Sequence, residues 1–166
     1  MRRAMAQKVS AIFSGALRSK TVAVLGLTFK PNTDDMREAP SLSLIAALQD
    51  MGALIRAFAP AGMRQAQNVL ENVVYCQDVY DCAKTADALV IATEWEQFRA
   101  LDLARLHDLM ACPVIVDLRN IYRPEEIQQH GFAYASVGST LPSLDFWDET
   151  RGEQFFGREQ ATVPAL

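Results

Sequence analysis

After residue 20 the apolar positions fall into short unbroken runs, and these alternate with segments whose apolar positions recur every three or four residues. The runs at 21–25, 54–58, 73–76, 88–92, 114–117 and 132–135 are rich in Val, Ile and Leu. Strands of that composition belong to a parallel sheet covered on both faces. The segments 41–51, 61–71, 79–84, 102–110 and 123–130 carry helical spacing. This alternation predicts an α/β fold, a Rossmann-like, doubly wound and mostly parallel sheet with helices on both faces.

Turn residues punctuate the pattern. Pro40-Ser41 offers a polar start to a helix whose apolar face is Leu42, Leu44, Ile45 and Leu48, and Gly52 follows as a left-handed stop. Pro60 is placed to be the first residue of the next helix, although Ala59 before it supplies no side-chain cap. His130 before Gly131 marks a helix end. Ahead of the first strand, Met5, Val9, Ile12, Phe13, Ala16 and Leu17 recur at helical spacing, and that apolar face is expected to be exposed and to favour self-association. Beyond Gly138 the periodicity fades. Residues 139–166 are expected to form a partly ordered tail whose Phe146, Trp147, Phe155 and Phe156 are available for docking.

At 166 residues, half of them hydrophobic, the chain is most simply one domain plus a tail, large enough to bury a core without staples. A net charge of −4 with no dominant basic stripe argues against nucleic-acid partners, so any anion site must be local. No apolar run approaches the ~20 residues that span a bilayer, and Gln7, Lys8 and Ser10 interrupt any signal-peptide core. Cys76, Cys82 and Cys112 show no C-x-x-C spacing and no adjacent histidine, so no metal site is expected. Buried, reduced thiols in a cytoplasmic protein are the expectation for all three.

Candidate chemistry concentrates in the loop between the first strand and the first sheet helix, Gly26-Leu27-Thr28-Phe29-Lys30-Pro31-Asn32-Thr33-Asp34-Asp35-Met36-Arg37-Glu38-Ala39-Pro40-Ser41. A strand, a charged loop and a helix form the skeleton of a nucleotide site. Only one glycine stands where a dinucleotide fingerprint needs three, and Lys30, Arg37 and the Phe29 ring take the place of bare backbone. That chemistry suits a nucleotide-sugar diphosphate better than an NAD pyrophosphate. Lys30 is either a mobile donor to diphosphate or a solvated partner of Asp34 or Asp35. Phe29 either faces a base or sugar or anchors the loop. Asp34, Asp35, Arg37 and Glu38 are expected to pair among themselves and hold the loop, with Arg37 a further anion candidate. Arg119 leaves the carboxyl end of the strand at 114–117, on the same sheet edge as Lys30. It either forks onto phosphate or ribose or pairs with Asp117.

That loop, with Ala86-Asp87-Ala88-Leu89-Val90-Ile91-Ala92-Thr93-Glu94-Trp95 and Val116-Asp117-Leu118-Arg119-Asn120, resembles the UDP-glucose/GDP-mannose dehydrogenase family in order and spacing. The resemblance is narrowest to the C-terminal, UDP-sugar-binding domain of the UDP-glucose 6-dehydrogenases, and runs from about residue 19 to 138. It implies that residues 1–18 end an interdomain linking helix and that 19–138 bind the UDP moiety through Phe29, Lys30 and Arg119. Thr93-Glu94-Trp95 would shape a turn beside the site without chemistry of its own. The resemblance further implies a homo-oligomeric (dimeric) oxidoreductase that converts UDP-glucose to UDP-glucuronate for polysaccharide synthesis. NAD and the catalytic cysteine would lie on domains absent from these residues, so this chain alone is expected to be inactive and to bind no cofactor. The same domain of a UDP-N-acetylmannosamine or GDP-mannose dehydrogenase, or a stand-alone nucleotide-sugar-binding or assembly module, are the alternatives.

Overall fold

The computed structural model describes residues 2–13 and 15–137. The tail at 139–166, with its aromatic residues, lies outside the described residues. Six strands form one sheet: β1 (Thr21–Leu25), β2 (Leu54–Phe58), β3 (Val73–Tyr75), β4 (Ala88–Ile91), β5 (Val114–Asp117) and β6 (Ala133–Ser136). Their order is β3-β2-β1-β4-β5-β6, and every neighbouring pair is parallel. The direction of winding reverses between β1 and β4, the switch point where sheets of this kind hold ligands beyond the carboxyl ends of their strands.

Side chains alternate along each strand, which divides the core in two. Val22, Val24, Val90, Val114 and Val116 face one layer, formed by α1 (Arg2–Ile12), α2 (Pro40–Asp50) and α3 (Met63–Gln67). Ala23, Leu25, Leu89, Ile91 and Ile115 face the other, formed by α4 (Val79–Ala83), a 3-10 turn (Glu96–Ala100), α5 (Leu103–Leu109) and α6 (Pro124–Gln129). Right-handed crossovers put α2 and α3 over the β1–β3 half of the first face, and leave the β4–β6 half of that face without a crossover helix. The helix preceding β1 fills the gap. Ala6, Val9 and Leu17 are wholly buried in the same cluster as Ala133 and Ala135, and Lys8 Nζ donates to the Ser136 carbonyl. The apolar face of residues 5–17 is therefore turned inward, and the expectation that it lies exposed for self-association is corrected. No helix among the described residues is long and apolar enough to cross a membrane.

Two helix starts differ from expectation. Pro40 is itself the first residue of α2 behind Ala39, and no side chain caps the helix; the Ser41 hydroxyl donates instead to the Leu27 carbonyl. Helix α3 begins at Met63, three residues after Pro60, because Gly62 before it takes φ +93°. A Cβ there would stand 2.7 Å from Thr28 Cγ2, so the turn must press bare backbone against the β1 loop. Gly52 (φ +92°) and Gly131 (φ +83°) stop α2 and α6 in the left-handed region, as their positions predict.

Candidate functional site

Three loops meet beyond the carboxyl ends of β1, β4 and β5. The first, 26–39, leaves β1 through Gly26 at φ +91°, where an added Cβ would lie 2.5 Å from Thr93 Cβ. The close approach lets Thr93 of the β4 loop, fully buried, donate from Oγ1 to the Thr28 carbonyl at 2.7 Å. Thr28 Oγ1 donates in turn to the Lys30 carbonyl at 2.7 Å. The start of the loop is thus tied to the β4 loop by the Thr93 hydroxyl and braced within itself by that of Thr28, and its end is tied back by Ser41 on Leu27.

Arg119 makes the third tie. Its Nε donates to the Ala92 carbonyl at 3.0 Å and lies 3.3 Å from Glu94 Oε2, and Nη2 donates to the Phe29 carbonyl at 2.7 Å. One guanidinium therefore joins the β5 loop, the end of β4 and the β1 loop. Its own position is fixed by Asp117, whose Oδ1 accepts the Arg119 backbone N–H at 3.0 Å. Asp117 is fully buried and its Oδ2 accepts from Ile121 N (2.8 Å), Tyr122 N (3.0 Å) and Tyr134 OH (2.8 Å). Burial first, and the Asp117 carboxylate with it, push the Tyr122 and Tyr134 hydroxyls above the ordinary phenol range. Both phenols stay protonated, and Tyr134 remains a donor to the carboxylate.

Phe29, Lys30 and Arg119 are brought together on one edge. Phe29 is 44% exposed although it is a large apolar ring, and Lys30 Nζ lies 6.0 Å from its centroid. Phe29, Lys30, Pro31, Thr33 and Asp35 line an open cleft of about 350 Å³. Lys30 pairs with neither nearby carboxylate, because Asp34 accepts from Gln65 Nε2 at 2.9 Å and Asp35 is held by Arg37. Behind Arg119 lies a small cavity of about 50 Å³, roofed by Met5 of α1 and bounded by Pro40, Ser41 and Leu44 of α2.

Arg37 stands apart from this group. Its Nε and Nη2 each lie 3.0 Å from an oxygen of Asp35, and its side chain is 89% exposed. The guanidinium beside Asp35 lowers that carboxyl from 3.8 to about 2. Glu38 and Asn32 hold the loop in left-handed conformations, φ +54° and +62°, that cost most at the non-glycine, non-asparagine position. Glu94 bears on Arg119, and Trp95 packs into the second layer with its indole N–H unpartnered among the described residues.

Sequence reasoning singled out the charged and aromatic residues, and the resemblance marked Thr93 in a shaping turn, but the other polar groups that hold the site were not marked. Asp117 was weighed only as a partner of Arg119, and its role as an acceptor for four donors depends on Tyr134, a residue of another strand. Thr28 directly follows an apolar run, and that is the one local signal that could have marked it.

Gly26 is the single glycine of this loop, where a dinucleotide fingerprint needs three, and it serves the close approach to Thr93. The family model described as "UDP-glucose/GDP-mannose dehydrogenase family, UDP binding domain" matches residues 23–124, which contain all three loops. A UDP-glucose 6-dehydrogenase of Rhizobium meliloti is 53% identical over 137 residues, 82% of this chain and 31% of that protein. The solved UDP-glucose dehydrogenase of Pyrobaculum islandicum superposes with a TM-score of 0.64 at 32% identity, over 75% of this chain and 28% of its own. The NDP-N-acetyl-D-galactosaminuronic acid dehydrogenase of Methanosarcina mazei, at 24% identity, shares the fold with a TM-score of 0.73 over 83% of this chain and 29% of that one. The chain thus spans about a third of the length of the curated relatives it matches. The family model and the identity to these relatives agree, and the chain belongs to the UDP-glucose/GDP-mannose dehydrogenase family, within its UDP binding domain.

Proposed function

We propose that this domain binds the UDP part of UDP-glucose and forms the substrate-holding part of an NAD-dependent UDP-glucose 6-dehydrogenase. The observation that carries the reading is the exposed Phe29–Lys30 pair held beside Arg119 at the switch point of the sheet. Lys30, without a carboxylate partner among the described residues, supplies a mobile positive charge for the diphosphate. The exposed ring of Phe29 offers a face to the uracil or ribose. Arg119 has five N–H groups; Nε–H and one of Nη2 are engaged, which leaves three for a phosphate or ribose oxygen while the loop stays tied. Hydride transfer and aldehyde oxidation would be the work of residues outside these 166, where NAD would be held. A reduced state of Cys76, Cys82 and Cys112 fits a cytoplasmic setting. The homodimer that the family suggests is a further proposal, read by light scattering of the complete enzyme.

The chain alone should bind UDP weakly, because few contacts offset the entropy lost on association. We expect a dissociation constant on the order of 0.1–1 mM, near −4 to −5.5 kcal/mol. Titration with UDP followed by amide NMR should move resonances at 28–31 and 117–120 and leave those of α5 in place. No shift at millimolar UDP refutes the reading, and tighter binding of GDP than of UDP moves it to the GDP-mannose branch.

A further inference from the structure

The loop that carries Lys30 holds more negative charge than positive. Between Gly26 and Ala39 stand two cations, Lys30 and Arg37, and three carboxylates, Asp34, Asp35 and Glu38. An ammonium four and five residues from two carboxylates has partners at hand, and a paired ammonium has less charge to offer an incoming anion. The fold nonetheless keeps all three carboxylates away. Asp34 is drawn off to helix α3, where its Oδ2 accepts from Gln65 Nε2 at 2.9 Å. Glu38 borders the groove at Arg37 and Leu42 and is not part of the Lys30 cleft. Asp35 has no such distance. The loop is pinched by a hydrogen bond from Phe29 N to the Asp35 carbonyl at 3.4 Å, and Lys30 and Asp35 line the same cleft. What occupies the Asp35 carboxylate is Arg37. Oδ1 accepts the Arg37 backbone N–H at 2.9 Å and Nε at 3.0 Å, and Oδ2 accepts Nη2 at 3.0 Å. Arg37 does this from outside, since it is not among the residues that line the cleft.

We propose, resting on the reading of Lys30 as the partner of the diphosphate, that Arg37 is a positioning residue for the nucleotide. By holding both oxygens of Asp35 it keeps that carboxylate off the Lys30 ammonium and leaves the ammonium free for the anion. Arg37 itself does not touch the nucleotide, and its effect passes through Asp35. The planar fork suits the task, because it takes both carboxylate oxygens at once and leaves neither to turn into the cleft. The backbone beneath is held as well: Thr33 Oγ1 accepts Asp35 N at 3.1 Å. Removing Arg37 frees the carboxylate beside the one cation of the cleft, and Asp35 then competes with the diphosphate for it.

UDP titrations of the chain, followed by amide NMR, read this coupling. Lys30→Gln should weaken UDP by roughly ten-fold, the loss of a charge-assisted bond. Arg37→Ala should weaken it by about three-fold, the scale of an exposed ion pair. Adding Asp35→Asn to Arg37→Ala should restore the parent affinity. Adding Glu38→Gln instead gives the same net charge and should restore nothing. In the Lys30→Gln background, Arg37→Ala should have no effect. The proposal is overturned if Arg37→Ala leaves the affinity unchanged. A loss that Asp35→Asn does not repair overturns it too, since Arg37 is then a direct contact, and so does one that Glu38→Gln repairs equally, since bulk charge is then the cause. If Lys30→Gln binds UDP as well as the parent does, the reading of Lys30 falls, and this role of Arg37 with it. A titration without nucleotide separates the two failures. The Asp35 carboxyl midpoint in Arg37→Ala should lie about 0.3 in pH below that in Arg37→Ala with Lys30→Gln, because the freed carboxylate meets the ammonium. Equal midpoints show that Lys30 does not reach Asp35, and overturn the proposal whatever UDP does.

Discussion

Replacing Asp117 by asparagine changes one atom and should unsettle both the fold and the site. The carboxylate is fully buried and accepts one hydrogen bond at Oδ1 and three at Oδ2. An amide keeps one oxygen, which will turn to the three donors, and then its NH₂ faces the Arg119 backbone N–H, donor against donor. One charge-assisted bond is lost, about 1.5–3 kcal/mol, and the three kept fall to neutral strength, roughly half of that each. Relief from burying a charge offsets several kcal/mol of this loss. The net cost should be about 2–3 kcal/mol, a fall in Tm of roughly 5–10 °C for a chain of this size. Tyr134→Phe removes a single donor and leaves three backbone N–H groups on the carboxylate, so it should cost only about 1 kcal/mol. Urea and thermal denaturation of the purified chain measure both. If Asp117→Asn lies within about 0.5 kcal/mol of the parent, or costs less than Tyr134→Phe, the hub described at the end of β5 does not hold that loop.

Gly26→Ala should destabilise the chain by about 3 kcal/mol or more, because the new Cβ combines a left-handed φ with a backbone and side-chain clash; a urea midpoint shifted by less than about 1 kcal/mol would show that β4 can retreat. The Asp35–Arg37 pair should open only in strong acid. The folded carboxyl is depressed to about 2 from 3.8, so its contribution is complete above the unfolded value and is lost as pH falls from there through about 2. The carboxyl-carbon NMR shift of Asp35 should titrate near 2 in the parent chain and return toward 3.8 in Arg37→Ala; a midpoint near 4 in the parent contradicts the pair.

The central strands β1, β4 and β5 were legible because parallel strands buried on both faces read as apolar runs. Helix limits were less so. The helix expected at 61–71 starts at Met63 because the Gly62 turn answers to Thr28, a contact set by the packing of another loop, and it ends at Gln67. The inward turn of residues 5–17 was hidden for a similar reason: an amphipathic stripe says that it will be covered, and only the crossover pattern says by what. In the site, charge and exposure marked Phe29, Lys30 and Arg119. The hydroxyls of Thr28, Ser41 and Thr93 carry no such mark, since a buried Ser or Thr differs from a loop one only in the partner that folding brings to it.

The helix that fills the bare half of the first face also determines how force reaches the ligand edge. Helix α1 grips the sheet through Ala6 and Val9, with Leu17 of the following segment in the same cluster, touches the end of β6 through Lys8, and roofs the cavity behind Arg119 with Met5. Helix and sheet must therefore pivot as one lever. A push on α1 is therefore delivered at Met5, one side chain from the guanidinium that holds the Phe29 loop.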